Sequence, residues 1–136
     1  MRVIVCGSRD WTGIWATSRI HDVMVALEVL AQALGQKLEI VHGGCPTGAD
    51  AIVDRWARRR DYEPVIFEAA WSELGRAAGP LRNSNMARAG GDICVGFLKD
   101  NSSGTIDMTG KAKKYGITTF TVDWEEKDEA EDSDIR

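Results

Sequence analysis

The sequence predicts an α/β domain in which a five-stranded parallel sheet carries helices on both faces. Three observations lead there. Short apolar runs alternate with stretches of helical apolar spacing, the pattern of repeated β-α-β units. The length, 136 residues, suits one domain with one core and room for five strands. Glycine- and hydroxyl-rich turns follow the apolar runs, so they collect on the edge where strand ends meet helix starts.

The first strand is expected over residues 2–6, and the others over 38–42, 64–68, 92–97 and 117–122. Between the first two, Ile20, Val23, Met24, Leu27, Ala31 and Leu34 recur at helical spacing and stop at Gly35, a suitable residue just past a helix end. A second helix follows the i, i+3, i+4, i+7, i+8 rule through Ala49, Ile52, Val53, Trp56 and Ala57, leaving Asp54, Arg55, Arg58 and Arg59 outside. A third is expected from about Leu81 to Ala89, with Pro80 suited to its first turn. A fourth spans roughly Thr105–Tyr115 and ends at Gly116. The connection Glu68–Pro80 is 13 residues, longer than connectivity requires, and reads as a functional loop.

Composition excludes several classes. Charged residues form 28% and hydrophobic ones 43%, which rules out a disordered, collagen-like or coiled-coil chain. No apolar run approaches the roughly 18 residues of a membrane span, so neither a membrane partner nor a targeting segment is expected. Three cysteines, Cys6, Cys45 and Cys94, are too scattered for a disulfide framework or paired metal ligands. A reducing cytoplasm is the expected setting, with no metal and no cofactor. The net charge of −4 is unevenly spread: seven acids lie between Trp124 and Arg136, and residues 1–123 hold 14 acids and 15 bases. The expected organisation is a near-neutral domain over 1–123 and an acidic, disordered tail over 124–136.

The edge turns carry the chemistry. They are Gly7-Ser8-Arg9-Asp10-Trp11, His42-Gly43-Gly44-Cys45-Pro46-Thr47-Gly48-Ala49-Asp50, Ala78-Gly79-Pro80-Leu81-Arg82-Asn83 and Ser102-Ser103-Gly104-Thr105. Glycines let backbone amides approach a ligand, and helix N-termini add free donors and a positive dipole end, a combination suited to phosphate. Hydroxyls extend the donor set, and Arg9 and Arg82 supply planar forks. Neither G-x-x-x-x-G-K-[ST] nor G-x-G-x-x-G is present, which disfavours a P-loop nucleotidase and a standard dinucleotide fold.

These turns, with Trp71 and Asn83-Ser84-Asn85-Met86, resemble the YspA, cpYpsA-related branch of the SLOG superfamily over residues 2–122. The resemblance implies a Rossmann-like domain and a nucleotide-derived small-molecule ligand. It includes LOG phosphoribohydrolases, which cleave the N-glycosidic bond of nucleoside monophosphates, and DprA, which binds single-stranded DNA. The LOG motif Pro-Gly-Gly-x-Gly-Thr-x-x-Glu ends in a catalytic glutamate, whereas here Gly104-Thr105-Ile106-Asp107-Met108 places Met108 at that position. Asp107 is one residue early and rotated by about 100° on a helix.

The expected nucleotide-binding set is Gly7, Ser8, Arg9, Trp11, Gly43, Gly44, Thr47, Gly48, Arg82, Asn83, Ser103, Gly104 and Thr105, with phosphate at Thr47, Gly48, Gly104 and Thr105. Asp50 and Asp107 are the candidate catalytic carboxylates, and Asp50 is equally suited to stabilising the first turn of its helix. Turnover stays open; its class would be hydrolysis or transfer at an N-glycosidic or phosphoryl bond. His42 either acts on ligand or orders its own loop, and Trp11 and Trp71 either stack on a base or close the core. A DprA-like single-strand module is the alternative, disfavoured by the neutral domain and the acidic tail. The resemblance also allows a homo-oligomer, since some relatives dimerise.

Overall fold

Strands Arg2–Gly7 (β1), Glu39–His42 (β2), Val65–Ile66 (β3), Ile93–Leu98 (β4) and Thr118–Asp123 (β5) form one parallel sheet in the order β3-β2-β1-β4-β5. The computed structural model describes residues 1–125. Helices Ile14–Ala33 (α1), Gly48–Arg59 (α2), Trp71–Leu74 (α3), Ala78–Ala89 (α4) and Ser103–Lys114 (α5) connect the strands. Because β1 is covered on both faces, its run is continuously apolar, with Val3, Ile4 and Val5 fully buried.

Alternation along β1 divides the core. Val3 and Val5 pack with Ile20, Met24 and Leu27 of α1 and Ile52 and Val53 of α2. Ile4 and Cys6 face Met86 of α4 and Met108 and Ala112 of α5. Helices therefore lie on both faces, as in a Rossmann-like domain. Gly35 closes α1 as expected: at φ 65° it lets its own amide reach Gln32 O and that of Gln36 reach Ala31 O.

Three expectations change. The first helix begins at Ile14, six residues before its clear periodicity at Ile20. The third strand shrinks to Val65–Ile66, an exposed edge that pairs only with β2. The 68–80 connection is largely ordered into α3, a 3-10 turn at Gly75–Ala77 and the first turn of α4, where Pro80 occupies a position whose missing N–H costs little. No described helix is long and apolar enough to cross a membrane.

Trp11 goes to the core and not to the ligand edge. It is fully buried, donates from Nε1 to Ala16 O at 3.0 Å, and lies 5.3 Å from the rings of Phe97 and Trp124. Trp124, expected to open the tail, instead extends the fold: its amide donates to Leu98 O at 2.8 Å. The rest of the expected tail, 126–136, lies outside the described residues.

Candidate functional site

From β1 the chain winds outward in both directions, so the connections that leave β1 and β4 run to opposite faces of the sheet and leave a crevice between them. A cleft of about 1070 Å³ occupies this switch point, with Cys6 and Gly7 at its strand end. All four edge turns reach it. Gly7 is required for packing: a Cβ there would lie 2.4 Å from Ala49 Cβ. Four cationic side chains, Arg9, Arg76, Arg82 and Lys99, and five acids, Asp10, Asp50, Glu68, Asp100 and Asp107, line the cleft, so it is not a basic groove.

The loop between β2 and α2 ties three amides, those of Gly44, Cys45 and Ala49, to acceptors of the chain itself. His42, almost fully buried, accepts the Gly44 N–H on Nδ1 at 2.9 Å, which places the ring proton on Nε2 toward Asp54 Oδ1 at 2.8 Å. Burial raises the Asp54 carboxyl, but the hydrogen bonds from Arg58 and His42 more than offset this and hold it below the usual range. Histidine thus orders its own loop. Asp50 Oδ2 accepts the Cys45 N–H at 3.2 Å. Asp50 Oδ1 is buried and has no hydrogen-bond partner among the described residues. Burial pushes the Asp50 carboxyl up, opposed by His42, the Cys45 amide, Arg82 and, least, the nearby Gly43 amide.

Two residues expected to hold phosphate here do not border the cleft. Thr47 is exposed and Gly48 is buried. At φ 75°, Gly48 presses so closely on the preceding loop that a Cβ would sit 2.2 Å from Ser8 O, and that same carbonyl accepts the Ala49 N–H. At the start of α2 the Ala49 amide is therefore taken by the chain itself, and Gly48 is packed against the loop after β1. Ser8 is likewise committed: its buried hydroxyl accepts the Lys99 N–H at 2.8 Å and donates to Lys99 O, tying the end of β1 to that of β4.

The turn into α5 differs. Ser103, Gly104 and Thr105 border the cleft, no side chain caps the helix, and their amides have no partner among the described residues. Asp100 and Asn101 precede them in the left-handed conformation, which aspartate and asparagine tolerate best among non-glycine residues. Thr105, nearly fully buried, donates its hydroxyl to Ser102 Oγ at 3.1 Å.

Between the two turns runs a polar network. Arg82 donates from Nη1 to Gly43 O at 2.6 Å and from Nε to Asn83 Oδ1 at 2.9 Å. Its guanidinium lies against Gly43, where a Cβ would meet Nη1 at 2.3 Å. Asn83 Nδ2 donates to Asp107 Oδ2 at 2.9 Å, and Lys111 donates to the same oxygen at 2.9 Å. Asp107 therefore clasps α4 to α5 at the cleft, while Met108 is buried in the core.

Residues beyond the expected set complete the rim. Arg9, of the expected set, lies 5.4 Å from the Trp71 ring, itself half exposed and packed on Gly79, so of the two tryptophans left open between base and core it is Trp71 that borders the cleft. Arg76 also comes from the long connection that the sequence marks as functional, whereas Lys99 and Asp100 directly follow β4 and obey the same edge rule as the rest. The arginine run at the end of α2 is partly engaged: Arg58 pairs with Asp54, and Arg60 lies over Trp56 at 4.7 Å. Among the described residues no group of three or more histidine, cysteine and acidic side chains is gathered as metal ligands would be.

Sheet order, switch-point cleft and glycine-rich turns define an α/β protein of Rossmann type with a candidate ligand cleft. The chain belongs to the YspA, cpYpsA-related SLOG family, whose model matches residues 1–73. The Gene 61 protein of Mycobacterium phage D29 is 38% identical over 124 residues, covering 85% of this chain and 91% of the phage protein. No solved structure matches the chain.

Proposed function

We propose that the protein binds a phosphate-bearing, nucleotide-derived small molecule in the switch-point cleft, with the phosphate at the N-terminus of α5. The observation that carries this is the set of unpartnered amides at Ser103, Gly104 and Thr105 opening on the cleft. Such amides, with the helix dipole behind them, are suited to an anion. Family membership supports a nucleotide-related ligand. Trp71 at the lip offers a ring for a base, and Arg9 and Arg76 add positive charge.

Binding without glycosidic cleavage fits the carboxylates best. Asp107 is held by Asn83 and Lys111, and the position of the LOG glutamate is the buried Met108. A thermal-shift series tests the reading, since a ligand specific for the native state adds about 2.7 kcal/mol at a hundredfold excess over Kd. AMP and ADP-ribose should stabilise the protein, and Gly104→Asp, which places a negative charge at the helix start, should abolish the effect. No shift with any phosphate-bearing compound at millimolar concentration would reject it. Chromatography of AMP after incubation should show little free adenine.

A further inference from the structure

Building on the anion site proposed above, we infer that Asp50 is held at the cleft to accept a hydrogen bond from a donor of the same ligand. The donor class is a ribose hydroxyl or an exocyclic amine. The pocket then selects phosphate esters that carry such a donor over phosphate alone.

The argument is an accounting of oxygens. Asp50 borders the cleft and is 6% exposed; one oxygen takes the Cys45 amide and the other has no partner among the described residues. Buried carboxylate oxygens are normally satisfied, because each one left bare forfeits its hydration without return. Asp54, four residues along the same helix, shows the ordinary solution: one oxygen to His42, the other to Arg58. Helix stabilisation alone does not account for Asp50, since a carboxylate in a first turn serves the dipole equally well when exposed to water.

The surroundings choose a donor rather than an anion. Glu68 stands beside Gly44 on the same side of the cleft, adding negative charge, while the open amides lie across it on α5. Arg82, whose charge also acts on Asp50, is already turned to Gly43 O and Asn83. A molecule with an anionic end and a neutral donor at a distance fits both sides.

Asp50→Asn keeps the shape and an acceptor for Cys45 but replaces the bare oxygen with an amide that cannot accept. Calorimetry with AMP should show affinity reduced about tenfold or more in the variant, with inorganic phosphate changed less than about twofold. Two further probes locate the donor in the wild-type protein: 2′,3′-dideoxy-AMP if it is a ribose hydroxyl, IMP if it is the exocyclic amine; one should bind as weakly as AMP does to the variant. Without ligand the variant should melt higher than wild type, because an incompletely satisfied buried charge has gone. Equal AMP affinity in variant and wild type would overturn this inference and leave the anion site standing. Failure of inorganic phosphate and AMP alike, with adenosine still stabilising wild type but not the variant, would remove the anion site and leave this one. A variant that melts lower or fails to fold would make Asp50 structural and overturn it. In the wild-type protein, the Asp50 carboxyl carbon resonance should move on addition of AMP and not of phosphate; no movement counts against it.

Discussion

The loop from Gly43 to Gly48 and the turn from Ser102 to Thr105 look alike as strings of glycine and hydroxyl residues before a helix, yet the fold closes on the first far more than on the second. In the first, His42 and Asp50 take the amides of Gly44 and Cys45, and Ser8 O takes that of Ala49. In the second, the amides of Ser103, Gly104 and Thr105 have no partner among the described residues. Glycine content measures how closely something can approach. Whether that something is a ligand or another part of the chain depends on which acceptors the fold brings there.

Substitutions can break this contrast. Gly48→Ala should have the largest effect, a loss of about 3 kcal/mol or more, because it combines a positive φ with a Cβ pressed into Ser8 O. The melting temperature should fall by roughly 10 °C or more. A small change would mean that the two loops can separate. His42→Ala comes next, at about 1–3 kcal/mol, since it removes the partner of the Gly44 amide and of one Asp54 oxygen. Denaturant unfolding measures it, and an unchanged midpoint would show that the loop does not depend on the ring.

The Asp50→Asn comparison is pH-dependent. Because the folded-state pKa of Asp50 is raised, its contribution to stability is present below its unfolded value and lost as pH rises through the folded one. The variant should therefore exceed wild type in stability near pH 7 and converge with it toward about pH 4. A constant difference across that range would assign the effect to shape. Gly104→Ala should be the mildest, a gain of about 0.5 kcal/mol from helix propensity, as nothing lies within 4 Å of the added Cβ. Destabilisation at Gly104 would mean that the α5 turn is as tightly built as the loop before α2.

Which parts were legible in the sequence follows from the range of the interactions. Strand runs and helix faces are local patterns, and they placed Val3, Ile20 and Ile52 in apolar runs and stripes that the core takes up. The edge rule also put Arg9, Gly43, Gly44, Arg82, Asn83, Gly104 and Thr105 around one cleft. Long-range partners were not legible. Ser8 is claimed by Lys99, more than ninety residues on, and Trp11 by Phe97 and Trp124, so neither borders the cleft. Trp71 was undecided because its position depends on the compact turn at Gly75–Ala77 that brings it onto Gly79.

The Ser8 carbonyl, held by the Ala49 amide, has one more consequence. Helix starts normally fray, and their first amides trade protons with solvent quickly. Here the start of α2 is pinned to the strand at the centre of the sheet, so Ala49 should retain its proton through all but the deepest openings. The corresponding amides of α5 should trade within the dead time until something occupies the cleft. Two helix starts on one edge of the sheet thus keep different clocks, and only the one that opens on the cleft can report on what is bound.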